Sequence, residues 1–311
     1  MKRAFSVLLL LISCTVLLSN CKKDKEDINT DEVRLQAVET KQSNGDIHKL
    51  FFDYDANGRI IKIRSGRNNE TPTTNFIITY SGNEILIPVT VSDDELNTIK
   101  DTIRLLLNAD QQVIKRMYHG FHEFKAPTFT PQRTNIYDTT TYSYDAAGLV
   151  KQETHGGLDT SWYNPGVETI MVSRTAGFTN YSIKDGNIIS TKKEVTSSGY
   201  AKQGGIVSTG KSSNETTHAF EYAKAYPNKI DFKNAAILNE LQLVFPPINK
   251  NLRNVPEKIL VTDITKNGNG NITSSNSFTI NQELSYNKYG FVNIRFDPAS
   301  PTLKTTYVYN K

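Results

Sequence analysis

The sequence predicts an all-β protein, a large antiparallel meander curled into a barrel or half-barrel from many short strands joined by hairpins. From Glu32 onward, apolar and polar residues alternate with a period of two, which is typical of half-buried strands. The apolar runs span four to eight residues, and clusters of Gly, Asn and Asp separate them. Connections this short reverse the chain but are too short for a parallel crossover, so we expect antiparallel pairing.

The first half of the chain contains five runs with this pattern. They are rich in β-branched and aromatic residues and predict strands at residues 33–38, 47–54, 60–63, 76–80 and 85–91. Turn formers occupy residues 43–46, 55–58, 81–83 and 108–110. Residues 94–100 are one of two candidate helical turns.

The second half repeats the same pattern. Strands are predicted at residues 140–144, 149–153, 278–286, 291–296 and 305–309. The second candidate helix covers residues 234–243, and Pro246 and Pro247 would end it. The polar segments 125–134 and 197–217 are interpreted as long loops.

The first 20 residues predict a lipoprotein signal peptide. Lys2 and Arg3 form a basic start, and residues 5–18 are apolar but too few to span a bilayer. The segment that ends at Cys21 resembles the lipobox of bacterial lipoproteins, in which the cysteine is acylated and becomes the first mature residue. Asn20 departs from the small residue usual before that cysteine, and Cys14 is a second candidate. Cutting there would leave an apolar mature start, so we prefer Cys21.

Residues 21–31 are expected to form the acylated cysteine and a charged tether, followed by a single β-meander domain over residues 32–311. A boundary near Glu123 is the alternative. A Lys/Asp/Glu-rich stretch after the cysteine resembles the export signal of Bacteroidetes-type surface lipoproteins, although a plain charged spacer explains it equally well. We therefore expect an outer-membrane lipoprotein, either periplasmic or surface-exposed, attached to the membrane by its lipid.

Composition excludes some classes of function. Loss of Lys2 and Arg3 would leave 34 basic against 32 acidic residues, a net charge of +2 instead of +4. Such near-balance argues against a nucleic-acid partner. Cys21 would be the last cysteine, so no disulfide could stabilise the exported domain, and a packed core or a large sheet must hold it.

Three segments share one hairpin pattern: an aromatic residue, Asp or Asn, two residues, then Gly and a strand. They occupy residues 52–60, 142–150 and 284–292, with weaker copies at 105–113 and 181–189. The glycine supplies the positive φ of the turn, and the tyrosine is expected to pack beside it. These segments resemble the YD-type hairpin repeats of bacterial surface proteins. Together with the lipobox and the pieces at 220–222, 227–229 and 255–259, they are similar to Bacteroidetes lipoproteins of the DUF4595 type. That resemblance implies a porin-like, rolled sheet and no catalytic residue.

Two motifs suggest a metal site, but each has a simpler explanation. Residues 53–60 fit the start of an EF-hand loop, yet Arg64 stands at the twelfth position, where a glutamate is needed. His119 and His122 would point to opposite faces of a strand. His48, His155 and His218 are isolated and are interpreted as structural or solvated. We expect no metal and no cofactor.

The sequence contains no catalytic motif, so a non-enzymatic binding or interaction module is the leading hypothesis. Trp162 and Tyr163 are the candidate ligand contacts, in a predicted loop where they would stack on a sugar or a protein partner. That hypothesis predicts an apolar or aromatic patch near Trp162. A carrier of a hydrophobic ligand would instead need an unfilled apolar interior, and a glycan-processing enzyme would need two facing carboxylates.

Overall fold

The described part of the chain folds almost entirely into antiparallel β-strands, which confirms the predicted all-β class. The computed structural model describes residues 33–93, 97–124, 132–163, 169–222, 226–227, 234–240, 254–288, 291–297 and 300–310. Residues Arg34–Asn310 form one compact unit. The predicted signal peptide, Cys21 and the charged tether lie outside the described residues.

The described elements follow one another along the chain in two groups. The first group is β1 (Arg34–Lys41), β2 (Ile47–Tyr54), β3 (Ile60–Arg67), β4 (Thr73–Ile77), β5 (Thr79–Ser81), β6 (Glu84–Asp93), β7 (Asn97–Leu107), β8 (Val113–Phe124), β9 (Gln132–Tyr144) and β10 (Val150–Tyr163). The second group is β11 (Thr169–Lys184), β12 (Asn187–Gln203), β13 (Ile206–Glu221), β14 (Tyr226–Pro227), α1 (Ala235–Glu240), β15 (Asn254–Val255), β16 (Lys258–Asn267), β17 (Ile272–Asn281), β18 (Glu283–Tyr286), β19 (Val292–Asp297) and β20 (Ser300–Asn310).

Eighteen strands belong to one antiparallel sheet, and β14 and β15 form a second, two-stranded sheet. From β17, pairing runs through β16 to β13 and then strand by strand back to β6. It continues through β5 and β4 to β3, β2, β1, β20, β19 and finally β18. The two terminal strands of this ladder, β17 and β18, are consecutive on the chain and are separated only by Gln282.

Several strands are much longer than predicted, and several segments predicted as loops or a helical turn, residues 132–134 among them, belong to strands. Residues 97–100 begin β7 instead of a helical turn, because β6 and β8 pair along its whole length. Residues 197–203 and 206–217 belong to β12 and β13 instead of a loop. The turn between them is Gly204-Gly205, both with positive φ, which suits a two-residue hairpin. Residues 206–212 of β13 are exposed on both faces, whereas exposed and half-buried residues mostly alternate over 197–203 of β12.

The repeated hairpin turns share one hydrogen-bond pattern. In the first, Gly58 has a φ of 72° and donates its N–H to Asp55 O, while Asp55 Oδ1 accepts the N–H of Arg59 at 2.9 Å. Asp145 makes the same side-chain bond to Leu149 N at 2.8 Å, and Asn287 makes it to Phe291 N at 3.0 Å. The Asp or Asn oxygen thus caps the backbone of each turn, which explains why the sequence repeats it.

Tyrosine hydroxyls tie several hairpins to their neighbours, and one of these tyrosines, Tyr144, belongs to the repeat. Tyr80 donates its hydroxyl proton to Ile60 O at 2.8 Å, just after the first turn. Tyr144 donates to the carbonyl oxygen of Val113 at 2.6 Å, and Tyr222 donates to that of Ile188 at 2.6 Å. These bonds satisfy carbonyl groups near the buried turns and keep the hairpins in register.

Apolar packing is concentrated in two clusters beside these turns. The larger cluster joins β1–β3, β6, β7, β19 and β20 to α1, whose Ile237 and Leu238 are buried. Asn234, just before α1, is also buried; its Oδ1 accepts the N–H of Ile60 at 2.9 Å, and its Nδ2 donates to Gly58 O. The predicted helix is therefore confirmed over residues 235–240, and its continuation to 243 lies outside the described residues.

The smaller cluster comprises Leu149, Ile188, Phe220, Ile259 and Val261. It lies at one end of the long strands β10–β13 and β16, and we call residues 149–153, 179–184, 187–191, 216–221 and 258–262 the buried end. The opposite end of these strands and of β17 carries most of the exposed side chains. We call residues 158–163, 169–174, 197–203, 206–212 and 265–276 the exposed end.

Candidate functional site

A shallow open depression of about 530 Å³ lies on one face of the sheet at the exposed end. Its lining comes from β11, β12 and β13 and comprises Val172, Arg174, Ser198, Gly199, Tyr200, Thr209, Gly210 and Lys211. The strand register sets these residues in two rows across the sheet. One row is Val172, Tyr200 and Thr209, and the other is Arg174, Ser198 and Lys211.

Two opposed glycines form the floor between these rows. Gly199 lies directly across from Gly210 in the β12–β13 register. A Cβ on Gly199 would lie 2.6 Å from the carbonyl oxygen of Val172, so glycine permits the close approach of β11 and β12. Because side chains alternate between the two faces of a strand, residues 199 and 210 project to the face opposite Tyr200, and the floor between the two rows is backbone.

The depression is positively charged. Arg174 and Lys211 are exposed, and within the described residues neither forms a salt bridge. Nearby on β12, by contrast, Lys192 pairs with Glu194 at 2.8 Å and lies 3.5 Å from Glu215. No carboxylate belongs to the depression's lining. The two cations are therefore available to an anionic ligand.

Aromatic side chains border this charged surface. Tyr200 is 45% exposed and lines the depression itself. Trp162 pairs with Ile170 on β11, next to Val172 in the lining, and period-two alternation puts it on the same face as Tyr200. Trp162, Ile170, Val172 and Tyr200 therefore lie on one face of the sheet. Trp162 lies on β10 and not in a loop, because β9 and β11 pair with it on both sides.

Tyr163, the second predicted contact, is the last residue of β10 and pairs with Thr169. Its side chain is not part of the described structure. Sequence reasoning missed Arg174, Tyr200 and Lys211. It missed them because residues 197–217 were interpreted as a loop, in which side-chain faces cannot be assigned. The signal that could have found them is Gly204-Gly205 between two Ser/Thr-rich runs, which is a hairpin pattern.

The opposite face of the sheet holds a separate group of titratable side chains. Glu153 accepts a 2.6 Å hydrogen bond from the Tyr181 hydroxyl, and its pKa is raised by burial. His155 lies between Thr140 and Thr179, with hydrogen-bond distances of 3.2 and 3.0 Å. Burial lowers the pKa of His155 to about 4, helped by the nearby positive charges of Lys193 and Arg116. His155 is therefore neutral at pH 7 and has a structural role, as predicted.

Arg116 on the same face binds Glu240 of α1. The guanidinium makes hydrogen bonds of 2.7 to 2.9 Å to both carboxylate oxygens, and both side chains are largely buried. This two-point ion pair fixes α1 to β8. The guanidinium of Arg116 is therefore already bound within the protein, whereas Arg174 forms no salt bridge with the described residues.

Further along this face, Asp159 is partly buried and has an unusual environment. Its Oδ1 is buried and has no hydrogen-bond partner among the described residues. Burial raises its pKa, and the negative charge of Asp138 adds to the increase. Asp138 in turn packs against Gly157, where an added Cβ would meet its Oδ1 at 2.4 Å.

The two motifs that suggested metal sites form ordinary strand contacts. His119 stacks on Tyr137 with a centroid distance of 4.4 Å, whereas His122 bonds to Asp101 at 2.9 Å on the other face of β8. In the EF-hand-like segment, Asp53 forms a 2.7 Å salt bridge with Arg64, the residue at the twelfth position. No group of three or more His, Cys, Asp or Glu side chains suited to a metal occurs in the described part of the chain.

No helix within the described ranges has the length and apolar character needed to cross a membrane. Comparison of the chain with protein-family models, with curated proteins and with solved structures found no match. Its function must therefore be argued from the geometry above.

Proposed function

We propose that the protein is a non-enzymatic binding module whose ligand is a carbohydrate chain carrying negative charge. The observation that carries this proposal is the depression in which Arg174, Lys211 and Tyr200 surround a floor of backbone. An exposed tyrosine offers a flat apolar ring to a sugar face. Arg174 and Lys211, which form no salt bridge with any described residue, can attract carboxylate or sulfate groups. The hydroxyls of Ser198 and Thr209 can donate to or accept from sugar hydroxyls.

Trp162 extends this surface toward the edge of β10. A chain of several sugar units would contact Tyr200 in the depression and continue over Val172 toward Trp162. The alternatives account for less of this surface. A carrier of a hydrophobic ligand would have no use for the exposed cations, and a protein partner would need a larger area than the depression offers.

A matched pair of probes tests the proposed ligand class. We expect an oligogalacturonide of about six residues to bind, and its methyl-esterified form, which lacks the negative charge, to bind about tenfold more weakly at low salt. Isothermal titration calorimetry measures both affinities. Equal binding of the two forms, or binding of neither, would contradict an anionic carbohydrate ligand.

Substitutions locate the binding surface. Arg174→Ala and Tyr200→Ala should each weaken binding of the charged probe by about fivefold, within the usual range for a surface ion pair or an aromatic contact. Lys184→Ala on the same strand removes an exposed cation outside the depression and should leave the affinity unchanged. Comparable losses for Lys184 and Arg174 would mean that net charge, and not this site, binds the probe.

The enzyme alternative draws on the neighbouring carboxylates of Asp138 and Asp159. A raised pKa on one of two carboxyl groups is typical of a glycosidase acid, which is why this alternative needs its own control. During the binding experiment we expect the oligogalacturonide to keep its length. If new reducing ends form, and Asp159→Asn abolishes them, then the protein is an enzyme and the proposal fails.

We also propose that the domain is attached to a membrane and that the sheet which carries this site is curled. Lipidation of Cys21 would tether the domain to the outer membrane, and Cys21→Ser should then move the protein to the soluble fraction. Retention in the membrane would contradict the anchor. The pairing of β17 and β18 supports curling into a barrel or half-barrel. These two strands are consecutive on the chain, yet β17 pairs with β16 at one end of the ladder and β18 pairs with β19 at the other end.

A further inference from the structure

The outer edge of β17 is an exposed sheet edge without the usual protection. Among the described residues, β16 is the only strand whose register is paired with β17. Eight consecutive residues, 272–279, are exposed, so neither face of this segment is covered. An unpaired edge presents a row of backbone N–H and C=O groups that can pair with another strand.

Proteins commonly block such edges with charges, prolines or very short strands. The segment 272–280 contains no charged residue and no proline, and it includes Ile272, which is 61% exposed, and Phe278, which is 45% exposed. The strand at the other end of the ladder, β18, is protected in the expected way: it spans four residues and begins with Glu283. The open edge of β17 is therefore suited to strand addition.

The sequence of this edge is nearly the same in both directions. Residues 272–280 read Ile-Thr-Ser-Ser-Asn-Ser-Phe-Thr-Ile, centred on Asn276. Two copies placed antiparallel about a two-fold axis through Asn276 would align Ile272 with Ile280, Thr273 with Thr279, and Ser275 with Ser277. The only unlike pair is Ser274 with Phe278. No like charges meet in this register, which a symmetric dimer requires.

We propose that the protein self-associates through antiparallel pairing of β17 with β17 of a second copy, in register about Asn276. The two sheets then continue through the interface by backbone hydrogen bonds, as in strand-addition complexes. This interface lies on the edge of β17, whereas the depression lies on the face of β11–β13. Carbohydrate binding and self-association are therefore separable.

Disulfide cross-linking in the full chain tests the register. Residues directly opposite in an antiparallel pair have Cα atoms about 4.5–5.5 Å apart, within reach of a disulfide. On mild oxidation, Asn276→Cys should form a cross-linked dimer at least about tenfold more than the wild-type chain, which controls for Cys14 and Cys21. Ser274→Cys and Phe278→Cys should each cross-link poorly alone, but a mixture of the two variants should cross-link efficiently.

Charge substitutions provide an independent test in solution. Ser275→Lys and Ser275→Glu each place like charges near the two-fold axis and should weaken self-association about threefold to fivefold, measured by analytical ultracentrifugation. Mixing the two variants should restore it, because opposite charges then meet. Ser208→Lys, at an exposed position on β13 away from the edge, should have no effect. Circular dichroism confirms that each variant is folded.

A monomer at every concentration would overturn the proposal. So would dimers that form equally well with the Ser275 variants, or cross-linking of Ser274→Cys alone as strong as that of Asn276→Cys, since both results would place the interface elsewhere. Loss of oligogalacturonide binding without loss of cross-linking would remove the proposed function and leave the dimer intact.

Discussion

The buried and exposed ends of the long strands are held together by different interactions. At the buried end, Ile259 is fully buried and packs with Leu149, Ile188 and Phe220. At the exposed end of the same sheet, Ile206 is 76% exposed, and seven consecutive residues of β13, 206–212, are exposed. Backbone ladders join both ends, but apolar burial contributes at only one of them.

This difference separates stability from binding. Full burial of an isoleucine side chain stabilises a protein by roughly 1.5–3 kcal/mol, whereas an exposed one contributes little. The exposed end can therefore carry Arg174, Tyr200 and Lys211 in positions that suit a ligand without weakening the core.

The same substitution at two isoleucines should give the largest contrast. Ile259→Ala removes buried methyl groups and leaves a cavity, so we expect a loss of about 2–5 kcal/mol in the free energy of unfolding. Ile206→Ala should change it by less than about 0.5 kcal/mol. Urea denaturation followed by circular dichroism measures both. Similar losses would show that the exposed end is as tightly packed as the core.

Two glycines sharpen the comparison in the polar middle of the sheet. A Cβ on Gly177 would lie 2.2 Å from the backbone oxygen of Glu194, which cannot move without disturbing β12. We therefore expect Gly177→Ala to destabilise the fold by about 1–3 kcal/mol. Gly156 has no atom within 4 Å of such a Cβ, so Gly156→Ala should be neutral or slightly stabilising. If thermal melting shows equal effects for the two variants, the close approach of the backbones at Gly177 does not limit which side chains fit there.

The smallest expected effect concerns pH. The pKa of His155 is about 4 in the folded chain, below its ordinary value of 6.5, so the unfolded chain binds a proton first. Stability is therefore lost as the pH falls from 6.5 toward 4. Because His155 is only partly buried, we expect a loss of about 1 kcal/mol from this group between pH 7 and pH 5.

Denaturation at the two pH values measures this loss. Glu153 has a raised pKa, so its contribution to the stability increases as the pH falls, opposite to that of His155. Because Glu153 is present in every variant, the difference between variants isolates the effect of His155. His155→Gln should lose less stability than the wild-type chain on acidification, whereas His48→Gln, at an exposed position, should match the wild type. An identical pH response of all three proteins would contradict the neutral state of His155 in the folded chain.

Much of the fold could be predicted from local sequence signals. The turns of the Asp55, Asp145 and Asn287 type were recognisable because one side chain and one glycine define each of them. Strand lengths were not predictable, since an exposed strand such as β13 shows no apolar alternation. Pairing partners on both sides determine its conformation, and a single segment does not reveal them.

The candidate site was predicted only in part. Trp162 was found because a lone tryptophan in a polar setting is conspicuous. Arg174, Tyr200 and Lys211 are distributed over 38 residues of three strands, and only the register brings them together. Arg174 and Lys211 form no salt bridge in the part of the chain that the structure describes. Whether a charge is paired depends on its three-dimensional surroundings and cannot be seen in the sequence.

Hydrogen–deuterium exchange of the full chain tests the division between the two ends most directly. It reports the local stability of each backbone segment. Residues 206–212 of β13 should exchange at least about 100-fold faster than residues 216–221 of the same strand, because local opening at the exposed end breaks few apolar contacts. Uniform protection along β13 would contradict the account.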